Sequence, residues 1–338
     1  MKKKLNVTLQ KRKMFEKFIL ILIAVIGISS FVYLRYKERP LMSLQPASSP
    51  QAARPTPTKP LEPFRFGAYV GANVSDMTAF EKTIGKPLQI LAVFVHWGNE
   101  KDFPLQYAAS VRDRKKTLLI YWEAKDYTID SVTQPTFNFD SVIRGDWDSY
   151  FKKFAEDAKS YNGPVILVPF DEMNGDWSPW SGTVNGNSPA KYVKAYQHLH
   201  AFFKTAPNVK FGWAVNNDSV PDTADNQFEK YYPGDAYVDY IGVDGFNFDD
   251  EFWETWDDVF ADSLKRLEAY QKPTFIFSSA SAPGRLKAQW ILDFGTHRTA
   301  YPYLVGWIWF NENKEKNWTV NSDEGSLNAY KQVISALK

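Results

Sequence analysis

Eight short apolar runs mark the chain from residue 64 onward. They are FRFGAYVG (64–71), LQILAVFVHWG (88–98), TLLIYWEA (117–124), PVILVPFDE (164–172), VKFGWAVNN (209–217), VDYIGVDGFN (238–247), KPTFIFSSAS (272–281) and YLVGWIWFNE (303–312). Each is nearly continuous rather than alternating, the pattern of strands buried on both faces of a parallel sheet. Helical spacing appears between them. Trp147, Tyr150, Phe151, Phe154, Ala155 and Ala158 predict one amphipathic helix, with Asp146 as N-cap and Gly163 as its stop. Tyr192, Ala195, Tyr196, Leu199 and Phe203 predict a second, and Leu327, Tyr330, Ile334 and Leu337 a third. Eight buried strands, most followed by a helix, predict an α/β fold of the (β/α)8 or TIM-barrel type over residues 64–338. A doubly wound open sheet fits less well, because no GxGxxG turn follows the first run.

The first 40 residues stand apart. Lys2, Lys3, Lys4, Lys11, Arg12, Lys13 and Lys17 precede the apolar run FILILIAVIGISSFVYL at 18–34. At about 1.5 Å per residue this run reaches roughly 26 Å, enough for a thin bilayer, and it is longer than the usual apolar core of a signal peptide. The basic flank predicts a cytoplasmic N-terminus and an uncleaved single-pass anchor, with the barrel outside the cytoplasm. Residues 41–63, LMSLQPASSPQAARPTPTKPLEP, have the Pro, Ser, Ala and Thr content of an extended spacer.

Charge sharpens this division. Residues 1–40 hold 10 Lys and Arg against 2 Asp and Glu, and the remainder holds 30 against 37, a net of −7. A net-acidic ectodomain is a poor nucleic-acid binder. The absence of cysteine excludes a disulfide scaffold and thiol ligation of a metal. With 12 Trp, 18 Tyr and 25 Phe, the chain has aromatic residues to spare for stacking on sugar rings.

In a (β/α)8 barrel the active site forms at the C-terminal strand ends. Those positions hold Glu123, Glu172, Asn216 and Asn217, Asp244 and Asn247, Ser278, then Trp309 and Glu312. Carboxylates supply acid and base, amides bind hydroxyls in pairs, and indole faces carry the C–H surface of a sugar. A carbohydrate site is the reading, with a polysaccharide as partner and a monomeric ectodomain.

The stretch EMNGDWSPW (172–180), with YWEA, YYPGDAYVDYIGVDGFN (231–247), the Lys272-Pro273 pair and WFNENKEKNW (309–318), resembles glycoside hydrolase family 26, the family of many β-mannanases. The resemblance covers roughly 64–338. It implies a retaining double displacement with a glutamate on strand four as acid/base and another on strand seven as nucleophile. Glu172 matches the acid/base. Ser278 stands at the nucleophile's position, Asp171 where a histidine is usual, Phe246 where a tyrosine is usual, and Val168 where an arginine is expected. It implies mannan as the default polymer, with glucan or a cell-surface polymer as the alternative.

A protonated serine hydroxyl does not replace a carboxylate nucleophile. Three readings stay open. Glu123, Asp171, Asp244 or Glu312 acts as base toward a water in the space beside Ser278. Or the domain is a pseudo-glycosidase that binds glycan through Trp122, Trp177, Trp180 and Trp309, with Asn174, Asn216, Asn217, Phe246 and Asn247 as contacts. Or strand seven is aligned wrongly and ordinary retaining cleavage occurs. Asp171, next to Glu172, is expected on the other side of the strand. No cofactor is implied, and no metal: His198 and His200 are two apart on a helix and face different directions, while His96 and His297 stand alone in sequence. No phosphate-binding Gly-x4-Gly-Lys loop occurs.

Overall fold

The computed structural model describes residues 62–99, 102–248 and 252–337. Eight parallel strands close in sequence order: β1 (Arg65–Tyr69), β2 (Ile90–His96), β3 (Thr117–Glu123), β4 (Val165–Pro169), β5 (Val209–Asn216), β6 (Tyr240–Asn247), β7 (Thr274–Ser281) and β8 (Leu304–Phe310). β8 pairs back onto β1, so the sheet has no free edge. Every predicted run contains one strand, shorter by a few residues where the chain turns.

The helices are α1 (Val74–Ile84), α2 (Leu105–Asp113), α3 (Phe139–Ile143), α4 (Asp148–Tyr161), α5 (Pro189–His200), α6 (Trp256–Leu267), α7 (Lys287–His297) and α8 (Glu324–Ala336). The periodic segments predicted as helices are α4, α5 and α8. In α4 the ends differ from expectation. Its N-cap is Trp147, without a side-chain cap, because Asp146 pairs with Arg144 at 2.6 Å. Its stop is Asn162, left-handed at φ 54°, one residue before Gly163. Between β5 and β6 the only helical element is a 3-10 turn at Phe228–Tyr231.

The core has two layers. Ile90, Leu119, Ile166, Ala214, Phe275 and Ile308 fill the barrel, while Trp122, Phe154, Trp213, Trp256, Trp307 and Tyr330 pack between barrel and helices. Along β3 the layers alternate, with Leu119 and Tyr121 inside and Ile120 and Trp122 outside. Along β8, Ile308 is inside and Trp307 and Trp309 are outside.

Within the expected linker, Glu62 accepts from Arg65 at 3.0 Å and from the Tyr240 hydroxyl at 3.3 Å. Among the described residues no helix is long and apolar enough to cross a membrane. The anchor expected at 18–34 lies outside the described residues.

Gly242 on β6 has no room for a side chain: a Cβ there would run into the carbonyl oxygen of Phe275 and the ring of Phe277. Gly242→Ala is therefore expected to cost about 1–3 kcal/mol through overpacking. Thermal unfolding followed by circular dichroism checks this, and an unchanged midpoint would contradict the packing.

Candidate active site

β4 ends in a forced turn that presents two carboxyls. Phe170 and Glu172 both have left-handed backbones, at φ 56° and 54°, which non-glycine residues adopt only when neighbours impose it. The imposing bonds run to both adjacent strands: Phe170 N–H donates to the Trp122 carbonyl at 3.4 Å and Glu172 N–H to the Ala214 carbonyl at 3.1 Å. At the turn Asp171 is buried while Glu172 is partly exposed, and the charge of Glu172 is felt at Asp171.

Beyond the turn, Gly175 lets an indole lie on the backbone; a Cβ there would sit 2.5 Å from Trp177 Cζ2. The Trp177 N–H then donates to Glu172 Oε2 at 2.9 Å, and 44% of the residue stays exposed. Glu172 is itself partly exposed. Burial raises its pKa to about 7, against the Trp177 hydrogen bond and the charges of Lys125 and Lys314, with Glu123 adding to the rise.

The other carboxyls divide into two kinds. Glu123, closing β3, is buried between His96 Nε2 and Lys125 Nζ, each at 2.8 Å. Burial alone would raise its pKa, but these two partners hold it below the usual range. Asp171 and Asp244 are buried, and among the described residues no cation is bonded to them. Burial and then the charges of Glu123 and Glu172 push Asp171 well up; burial and then Glu172 and Asp171 do the same to Asp244. The Oδ1 atom of each is buried without a hydrogen-bond partner. Glu312, at the end of β8, is partly exposed, and its carbonyl accepts from Trp318 N–H at 2.9 Å.

Ser278 reaches the mouth through a strand irregularity. The β6–β7 register slips beside Asp244 and the β7–β8 register slips between Ile276 and Ser279. Phe275 and Phe277 face the interior, yet the Ser279 hydroxyl accepts the outer-layer Trp307 indole N–H at 2.7 Å. The slip therefore turns Ser278 inward. Ser278 lowers the pKa of both Asp244 and Tyr121, against the larger effect of burial, and the Tyr121 phenol donates to the Phe277 carbonyl.

Several expected sugar contacts are part of the framework instead. Trp122 is fully buried, donates to the Tyr150 hydroxyl at 2.8 Å and stacks on Phe154. Trp309 is fully buried in the outer layer and donates to the Trp318 carbonyl at 2.9 Å. Trp180 is buried, donates to the Asp171 carbonyl at 2.6 Å and is covered by Lys125. None of the three offers a free indole face. Asn174 is a buried hub, donating to the Asn216 and Asp218 carbonyls and accepting from Asn216 N–H at 2.8 Å. Asn247 is buried, bonded to Ser281 and to Glu254 N–H. Asn216 and Asn217 are partly exposed, each with its amide on Asp218. Phe246 is partly exposed, against Phe310 and Trp318.

Other mouth residues were missed. His96 closes β2, Tyr69 closes β1, and Tyr69 stacks on Phe310 at 5.2 Å. Strand-end position, the signal used for later strands, identifies both. Lys125 and Lys314 lie in loops and gave no such signal.

A framework tryptophan and the one bonded to Glu172 should respond differently to substitution. Trp122→Ala is expected to cost about 3–5 kcal/mol of stability. Trp177→Phe should leave stability nearly unchanged but raise the Glu172 pKa, because it removes a donor to the ionised form. Thermal unfolding and a carboxyl titration by NMR check the pair; a lowered Glu172 pKa in Trp177→Phe would contradict the geometry.

The sequence profile described as Glycosyl hydrolase family 26 matches residues 90–334. Endoglucanase H of Acetivibrio thermocellus is 34% identical over 288 residues, covering 80% of this chain and 30% of that protein. Mannan endo-1,4-beta-mannosidase A and B of Caldalkalibacillus mannanilyticus is 24% identical over 199 residues, covering 54% of this chain and 36% of that protein. The chain thus spans about a third of the length of these relatives. The catalytic domain of the family 26 endo-β-1,4-mannanase of Bacillus sp. JAMB-750 superposes with a TM-score of 0.63 at 14% identity, covering 81% of this chain and 86% of that one. That likeness is one of fold. With the profile spanning most of the barrel, this chain belongs to glycosyl hydrolase family 26.

Proposed function

We propose that the barrel is a glycoside hydrolase acting on a β-linked polysaccharide, with Glu172 as general acid. The observation that carries this reading is the Glu172 carboxyl: it is partly open to the mouth, bonded to an exposed indole and raised to about 7. Such a group keeps enough of its protonated form near neutrality to protonate a departing glycosidic oxygen. Asp244 is the partner carboxyl. Its buried Oδ1 lacks a partner among the described residues, and after burial it is the charge of Glu172 that raises its pKa most. Ionisation of one member of the Glu172, Asp171 and Asp244 cluster holds the others protonated, so like groups can divide into acid and base. Water activated by Asp244 attacks directly, and the first product is the α-anomer. The 34%-identical relative is named an endoglucanase and the 24%-identical one a mannosidase, so β-glucan and β-mannan are the first polymers to assay.

One observation favours a second reading, in which glycan is held but not cut. β7 carries no carboxylate from Thr274 to Ser281, Ser278 included, and both aspartates are pushed toward the neutral form. Reducing-end release by the full chain separates the two readings. Glu172→Gln should lower release by roughly a hundredfold or more. Release should also fall as pH rises through about 7, because the raised carboxyl is a useful acid only while protonated. Retention on either polymer with no release establishes the binding reading.

The basic flank and apolar run of residues 1–40 support anchoring, with the barrel outside the cytoplasm. The full chain should sediment with membranes and a chain lacking residues 1–40 should not. Recovery of the full chain in the soluble fraction would contradict the anchor.

A further inference from the structure

Among the described residues, each strand is followed by an α-helix except β5. The chain after β5 is bonded instead to the turn that carries Glu172. Val220 N–H donates to the Asn174 carbonyl at 2.8 Å, and the Asn174 side-chain amide donates to the Asn216 and Asp218 carbonyls. Asn226, which is fully buried, completes the attachment. Its amide donates to the Asn174 carbonyl at 2.8 Å and to the Pro221 carbonyl at 3.0 Å, and its Oδ1 accepts from the Tyr231 hydroxyl. The amide can point only one way, because the reverse would set its oxygen against two carbonyl oxygens. Tyr231 is buried too, and its ring occupies the space that a Cβ on Gly182 would need. Gly182 N–H returns to the turn, donating to the Met173 carbonyl at 2.8 Å.

Met173 and Asn174, the residues that follow Glu172, are thus held through their carbonyls. Glu172 depends on such support. Its backbone is left-handed at φ 54°, a conformation that persists in a non-glycine residue only where neighbours impose it. Its carboxyl bonds the Trp177 indole, but that residue is 44% exposed and does not fix the turn. We propose that Asn226, fastened by Tyr231, is a positioning residue for the general acid, holding the Asn174 carbonyl and thereby the turn that sets the Glu172 carboxyl at the mouth. The inference rests on the acid reading of Glu172. Asn226 and Tyr231 are both buried, so they act through the peptide of residue 174 and not on substrate. Displacing a reacting group by about 1 Å can cost roughly a hundredfold in rate, so loosening the attachment is felt in turnover more than in binding. A loosened turn also opens Glu172 to water. Burial is the first cause of its raised pKa, which should then fall from about 7 toward the ordinary carboxylate range.

Two variants of the full chain test this. Tyr231→Phe keeps the ring beside Gly182 and removes only the donor to Asn226. Asn226→Leu roughly keeps the volume and removes the bonds to both carbonyls. Reducing-end release from β-glucan and β-mannan gives kcat and KM, and an NMR titration reads the Glu172 carboxyl. Asn226→Leu should lower kcat about tenfold to a hundredfold and Tyr231→Phe about threefold to tenfold, each with KM changed less than about twofold. In both, the Glu172 pKa and the pH above which release falls should move below about 7 together. Val333→Ala, in the core on α8, controls for stability: it should lower the unfolding midpoint and leave the Glu172 titration in place. If Asn226→Leu does not fold, Tyr231→Phe decides alone. An unshifted Glu172 titration in the folded variants, an equal shift in Val333→Ala, or an unchanged kcat overturns the inference and leaves the acid reading untouched. If Glu172→Gln leaves cleavage intact while the titration shifts as expected, the acid reading fails and the attachment of the turn stands.

Discussion

Closure of the eight-stranded sheet is the constraint on which everything else depends. Once β8 bonds to β1, each strand has one face toward a narrow interior and one toward the helices, and successive side chains must alternate between them. Tyr121 inside therefore fixes Trp122 outside, and Ile308 inside fixes Trp309 outside. The indoles at those two strand ends stabilise the seam between barrel and helices. They cannot also face a ligand at the mouth.

The catalytic candidates sit where that alternation is broken. The left-handed turn at Phe170 and Glu172 lets consecutive residues Asp171 and Glu172 share one field, and the slip in β7 turns Ser278 inward out of phase. Both departures cost backbone energy of about 1–3 kcal/mol per strained residue, supported by hydrogen bonds from neighbouring strands. The buried carboxyls add a second cost. Glu123 is offset by His96 and Lys125, whereas Asp171 and Asp244 are offset only by shifting toward the neutral form.

The barrel was legible because continuous apolar runs and helical periodicity both follow from burial, which closure makes unavoidable. Glu172 was legible because it ends a strand inside a distinctive motif. The role of the tryptophans was misread by composition, though strand parity was available to correct it: Glu123 toward the mouth already sends Trp122 away. The burial of Asn174 was not legible, since it depends on carbonyls 42 to 44 residues further on. Nor was the turn at Phe170 and Glu172, because left-handed residues leave no periodic trace. Lys125 and Lys314 reach Glu172 from loops, where sequence spacing says nothing about direction.

The barrel interior and the buried carboxyls belong together electrostatically. Val168 packs in the barrel interior, three residues before the buried Asp171, and among the described residues no cation is bonded to that aspartate. An arginine at that position would need an ionised partner, because a lone buried cation is more costly than a paired one. Val168 is apolar and needs no such partner, and Asp171 and Asp244, with no cation bonded to them among the described residues, shift toward the neutral form. Phe246, two residues beyond Asp244 on β6, packs on Phe310 and Trp318. Burial and mutual repulsion hold Asp171 and Asp244 toward the neutral form, so ionising one carboxyl of this group costs more once another is charged.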